Sequence, residues 1–277
     1  MTGRSGFLDP GGPLTGASDG VFWFTVAATM LMVAWSVLYA AREAHRLRSA
    51  LPLVVLASAT TWLPNEPFID AVLGFQYAAD APATLFTLAG REIPITALGI
   101  GAMFSMFTWW LYQQLLAGTT ERRIVVICIL AGVIDWPFEW IAISGNVFEY
   151  YGDNPSRVLG LPITSMVQNC FLFLFMACVL ALAAPHLRGW RSLLFLPVIP
   201  GCYYAAAFVC TWPAYLALHG GASEPPFLVL AGVSAVLNAA IPLAMLRIVA
   251  PLVRRDDAPP APPAPPSRPA EPVLQPV

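Results

Sequence analysis

Apolar residues run almost unbroken through seven stretches of the chain, near 20–41, 50–72, 93–116, 124–143, 161–184, 193–217 and 226–250. An α-helix rises about 1.5 Å per residue, so roughly twenty apolar residues cross a hydrocarbon core of about 30 Å. The pattern predicts an all-α, polytopic membrane protein with seven transmembrane helices. Residues 1–19 read as an extracytoplasmic N-terminal segment: they are polar and rich in Gly and Pro, and lack the basic start of a cleavable signal. Residues 20–250 make the transmembrane domain. Residues 251–277, with the run Ala-Pro-Pro-Ala-Pro-Pro, read as a disordered Pro-rich cytoplasmic tail.

The arginines give the spans a direction. Arg42, Arg46 and Arg48 follow the first span, Arg122 and Arg123 follow the third, and Arg188 and Arg191 follow the fifth. Arg247, Arg254 and Arg255 close the series after the last. The alternate loops hold only Arg91 and Arg157, and the N-terminal segment only Arg4. Basic residues accumulate on the cytoplasmic side of a membrane protein. The expected topology is therefore an inner, cytoplasmic membrane protein with its N-terminus outside and its C-terminus inside.

Composition narrows the function. The chain is 58% hydrophobic and 11% charged, and a net charge of −2 argues against a nucleic-acid partner. All of the basic residues are arginines; without lysine there is no Schiff-base chemistry and no retinal-type pigment. The five cysteines fall in apolar stretches without a CxxC pair and read as buried packing residues. The three histidines, His45, His186 and His219, are placed in connecting loops, so no metal site and no cofactor is expected. The partners are then a lipophilic small molecule and the membrane lipids.

Two blocks of the apolar sequence carry acids around Pro-Phe: Glu66-Pro67-Phe68-Ile69-Asp70 and Asp135-Trp136-Pro137-Phe138-Glu139. Residues four apart share one helix face. A carboxylate in a bilayer core is costly, and such residues usually face a bundle interior or a wet cavity. Proline within each acid helix removes a backbone donor and predicts a kink at the same place. The alternative is that some of these acids are solvated at the outer interface or paired with Arg91 or Arg157. Two carboxyls in one apolar site can divide the work of general acid and general base. Glu66 and Asp135, nearest mid-span, are the expected centre, with Asp70 and Glu139 beside them.

The surroundings of the blocks repeat. After the first come Gly74-Phe75-Gln76-Tyr77, Asp80 and Ile93-Pro94-Ile95-Thr96; after the second come Asn146-Val147-Phe148-Glu149-Tyr150, Asp153 and Leu161-Pro162-Ile163-Thr164. This order reads as two copies of one helix-loop-helix unit, and Thr211-Trp212-Pro213 as a fainter, acid-free third. Among polar residues on other spans, Asn169 and Asn238 are the expected cavity-lining pair. Trp62, Trp136, Tyr203 and Glu149 complete the candidate substrate-binding set. Their alternative roles are interhelical hydrogen bonding, aromatic packing and interfacial anchoring. An aromatic wall can also shield a cationic intermediate.

The acid-Pro-Phe blocks, the Phe-x-Tyr loop followed by Leu-Pro-Ile-Thr, and the Arg-rich inner loops resemble the AveC-like spirocyclase family of actinobacterial membrane proteins. The resemblance covers residues 20–250. It implies spiroketal-type ring closure, with or without dehydration, on a polyketide-like substrate, and carries the family's acids onto Glu66, Asp70, Asp135 and Glu139, with Glu149 a weaker match. A membrane terpene or carotenoid cyclase would use similar acids, and a proton-coupled transporter would relay protons through them.

Overall fold

Prolines decide where the structure departs from the expected spans. The computed structural model describes residues 10–256. Helix α1 (Asp19–Leu47) is continuous and ends at Arg48 in a left-handed conformation. The expected span 50–72 is broken: α2 (Leu51–Trp62) runs into a 3-10 turn, Leu63–Asn65, and α3 (Glu66–Leu73) restarts beyond it. Pro64 and Pro67 each stand in a first turn, where a missing N–H costs no intrahelical bond. Pro67 therefore opens a helix and does not kink one. Pro137, as expected, lies inside its helix, α5 (Glu121–Ser144).

The span expected from residue 93 also starts differently. Strand β1 (Phe75–Tyr77) follows α3, and β2 (Thr84–Leu88) pairs antiparallel with β3 (Arg91–Pro94) before α4 (Thr96–Leu116) begins. After α5 come β4 (Phe148–Tyr150) and the short hairpin of β5 (Arg157–Val158) and β6 (Leu161–Pro162). Then α6 (Ile163–Ala183), a 3-10 turn (Gly189–Leu194), α7 (Phe195–Gly220) and α8 (Glu224–Asp256) complete the described chain. His45 and His219 stand in the last turns of α1 and α7, not in loops. Likewise α8 extends through residues 251–256, which the sequence assigned to a disordered tail. The rest of that tail, and residues 1–9, lie outside the described residues.

Helix dominates, and among the described residues five segments are long and apolar enough to cross a membrane: Asp19–Leu47, Glu121–Ser144, Ile163–Ala183, Gly189–Gly220 and Glu224–Val253. α2 and α3 are each too short to cross alone, and α4 carries Gln113 and Gln114 in its last turn. Large apolar side chains, among them Leu31 and Leu38 on α1 and Leu130 and Val133 on α5, are exposed. A face of this kind suits lipid better than water.

α6 is central, packed against α4, α5, α7 and α8, while α1 and α2 close on α4 from its other side. Two glycines set the tightest approaches. A Cβ on Gly132 of α5 would run into Cys170 of α6, and one on Gly99 of α4 would run into the Cβ and carbonyl of Thr29 on α1.

One end of the bundle carries a roof. β1 pairs antiparallel with β4 in the register Phe75↔Tyr150, Gln76↔Glu149 and Tyr77↔Phe148. Residues 10–18 lie across this pair as a strap. The Ala79 N–H donates to Leu14 O at 2.9 Å, and the Ser18 N–H donates to Gly145 O at 2.8 Å. The Asp80 carboxylate accepts the N–H groups of Gly16, at 2.6 Å, and Ala17, at 3.4 Å. The Gly16 bond, before the others, holds the Asp80 carboxyl below its ordinary range.

Two outcomes follow. Gly99→Ala should overpack the α1–α4 contact and cost about 1–3 kcal/mol, read as a lower melting temperature of the purified protein. A depressed carboxyl gives its stabilisation above its unfolded-state pKa and loses it as pH falls through the folded one. Amide protection factors of residues 10–18 should therefore be high at neutral pH, fall in strong acid, and already be low at neutral pH in Asp80→Asn.

Candidate functional site

Burial of both acid blocks against one space defines the site. On α3, Glu66 and Asp70 stand one turn apart, 5% and 1% exposed. On α5, Asp135 and Glu139 repeat that spacing and are half-buried. All four line a single cavity of about 500 Å³, within the range of small-molecule pockets. The expectation that the two blocks meet is met.

Each helix then hands its chain to a strand that returns over its own glutamate. Gly74 ends α3 with φ +66°, and a Cβ there would meet Leu218 and the carbonyl of Tyr151. After α5, Asn146 takes the equivalent positive φ. The reversals bring Tyr77 and Tyr150 back eleven residues after Glu66 and Glu139 respectively. The Tyr77 hydroxyl donates to Glu66 Oε1 at 3.1 Å, and the Tyr150 hydroxyl to Glu139 Oε2 at 3.3 Å. Tyr150 also meets Ser165 Oγ at 3.0 Å.

From α6, the Asn169 amide donates to Asp135 Oδ2 and to Glu139 Oε1, each at 2.8 Å. One side chain thus fixes both acids of α5. On α3, Glu66 Oε2 and Asp70 Oδ2 are buried and have no hydrogen-bond partner among the described residues.

The two arginines offered as ion-pair partners are engaged elsewhere. Arg91 donates to Phe75 O and to the Tyr151 hydroxyl, both at 2.7 Å. Arg157 donates to Tyr150 O and Gly152 O. Among the described residues the one salt bridge is Arg46–Glu43, outside the cavity. Nor do the described residues contain a group of three or more His, Cys, Asp and Glu arranged to hold a metal ion.

The remaining candidates divide. Asn169, Trp62 and Tyr203 line the cavity, with the Trp62 and Tyr203 rings edge to face at 5.3 Å. Glu149 does not. Successive strand residues point to opposite faces, so Phe148 and Tyr150 look into the cavity while Glu149 looks out and accepts from Gln76 Nε2 at 2.7 Å. Asn238 is also outside, donating to Thr211 Oγ1 and Ser234 O between α7 and α8. Trp136 follows Asp135 by one residue, a turn of about 100° around the helix, and is carried off the lining.

Four polar lining residues lie outside the candidate site set: Tyr77, Tyr150, Ser165 and Gln168. The tyrosines had a signal, the repeated Phe-x-Tyr at a fixed distance after a glutamate. Gln168 and Ser165 had none beyond their polarity. The lining is also aromatic, with Phe104 and Phe107 each in edge-to-face contact with Phe173. The cavity is thus lined by two pairs of carboxyls and by an apolar, π-rich surface. No family model, no curated protein and no solved structure matches the chain.

Removing a donor from a buried carboxyl leaves it unsatisfied, at a cost of about 1–3 kcal/mol. Asn169→Leu should therefore lower the melting temperature more than Tyr77→Phe, because two hydrogen bonds to carboxyls are lost at once and one is lost in Tyr77→Phe. Glu149→Ala should leave cavity-dependent behaviour unchanged.

Proposed function

We propose that this chain is an integral membrane cyclase, resembling the AveC-like spirocyclases, that closes a spiroketal-type ring on a lipophilic, polyketide-like substrate by acid–base catalysis. The observation that carries the reading is the convergence of four carboxyls from two helices on one apolar cavity.

The step is written with the groups present. A carboxyl of α3, Glu66 with Asp70 beside it, gives its proton to the hydroxyl of a bound hemiketal. The carbon–oxygen bond breaks, water leaves, and an oxocarbenium ion remains. A second hydroxyl of the substrate attacks that carbon, forming the new carbon–oxygen bond, and its proton passes to Asp135. The Asn169 amide holds Asp135 and Glu139 in place for this transfer. Proton transfer from Asp135 back to Glu66 resets the site, and the net change is the loss of one water. Phe104, Phe107 and Phe173 offer the cation the faces of their rings. The carboxyls gather under the β1–β4 roof, at one end of the bundle, which favours a reaction chamber over proton-coupled transport.

The same reading completes the topology. α2, its 3-10 turn and α3 together make one crossing and α4 another, giving seven. The arginine-rich ends lie in the cytoplasm, the roof outside, and the protein in the inner membrane. The units α3–β1 and α5–β4 derive from a duplication in which Glu66 corresponds to Glu139. That register is the 73-residue offset separating the paired Gln76 and Glu149, shifted from the direct overlay of the two Pro-Phe blocks.

Extracts of cells with and without the gene should differ by an isomeric or dehydrated product pair. Glu66→Gln and Asp135→Asn should each abolish the product while the purified protein keeps its melting profile; full turnover in both variants would sink the mechanism.

A further inference from the structure

The cavity lies under the roof and has exposed lining at one side. Above it stand the β1–β4 pair and the strap of residues 10–18. At the other end of α1, the Arg46 guanidinium bonds Glu43 of its own helix and reaches Gln113 Oε1 of α4, tying the two helices together.

The side between α1 and α5 is different. These helices meet under the roof, where the Ser18 N–H bonds Gly145 O and the Val21 side chain fills the space beside Gly145. Away from that contact α1 packs on α4, and α5 packs on α6. In the gap between them, Trp35 of α1 and Ile134 of α5 line the cavity while being 53% and 73% exposed. Every other lining residue is buried or half-buried. Lining side chains that are also the exposed ones mark a mouth. By helix rise this mouth lies roughly 15–20 Å below the Val21–Gly145 contact, near the middle of a hydrocarbon core about 30 Å thick. Its margins continue into the exposed apolar faces of α1 and α5 at Leu38 and Val133.

We infer that the cavity is loaded sideways from the bilayer, through the gap between α1 and α5, by a slender, uncharged molecule that enters with a neutral hydroxyl or carbonyl end first. The mouth is apolar and the carboxyls lie beyond it, so the polar end of the ligand must lead. A ligand with an anionic head would meet four acids with no counter-ion within bonding distance among the described residues. The inference rests on the cavity being the reaction chamber for a lipophilic substrate, and it adds the route and the charge of that substrate.

The test uses the full chain in lipid nanodiscs containing dodecanol with a mid-chain diazirine, photolysed and mapped by mass spectrometry. Adducts are expected on Phe104 and Phe107 inside the cavity. They should fall severalfold in Ile134→Trp, which narrows the mouth, and rise in Trp35→Ala, which widens it. Both positions are exposed, and an unchanged melting temperature checks that each variant is folded. The corresponding diazirine fatty acid, ionised at neutral pH, should give far fewer internal adducts. Adducts confined to outward residues such as Leu38 and Val133, or internal adducts indifferent to Ile134→Trp, would overturn the route. Labelling needs no turnover, so Glu66→Gln should keep the internal adducts. Product formation that survives loss of the acids would remove the acid–base mechanism and leave this route standing.

Discussion

The antiparallel pairing of β1 with β4 is the interaction on which the polar wall depends. Carboxyls facing an apolar cavity need donors from the protein itself, because bulk water is not there to supply them. The pair delivers a tyrosine hydroxyl to a glutamate on each of two helices, and its alternation turns Gln76 and Glu149 outward to satisfy each other. Phe75 and Phe148 pack in the same layer, their rings 4.9 Å apart, so the roof is apolar wherever it is not bonding an acid.

Around that layer, helix spacing is set by small residues and not by interlocking bulky ones. Gly132 admits Cys170, and Gly99 admits Thr29, so α5 and α1 are each pinned to a neighbour on the inner side. In lipid, where apolar side chains gain little by leaving their surroundings, such close backbone approach is a principal source of helix association. α6, held on four sides, presents Ser165, Gln168 and Asn169 to the cavity from the most constrained element of the bundle. A fixed Asn169 is what lets a single amide serve two acids.

The membrane character, the acid blocks and their meeting were legible because charge in an apolar run has few explanations, and four-residue spacing on a helix is unambiguous. The break before Glu66 was half legible. Pro64 and Pro67 announced a disturbance, but whether proline kinks a helix or begins one depends on where the preceding helix stops, and that is decided by packing around Trp62 and Leu63. Glu149 was misplaced because a three-residue strand gives no periodicity to read, and one step along it changes the face. Asn238 was misassigned for a related reason: polarity in mid-helix marks a buried partner, not which partner, and here Thr211 and Ser234 supply it. Trp136 shows that adjacency to a site residue on a helix is evidence against sharing its direction.

Locality of the glutamate–tyrosine bonds bears on how the chain assembles during synthesis. Each bond closes a loop of only eleven residues, so each half of the polar wall can form as soon as its own helix and strand have left the ribosome. The α3 half is made first, and must wait until α4, α5 and β4 have followed. Only the β1–β4 ladder, with partners such as Gln76 and Glu149 that are 73 residues apart, joins the halves. The slow and failure-prone moment in biogenesis is thus the late docking of one finished half on another, and insertion of the helices that carry the acids comes before it.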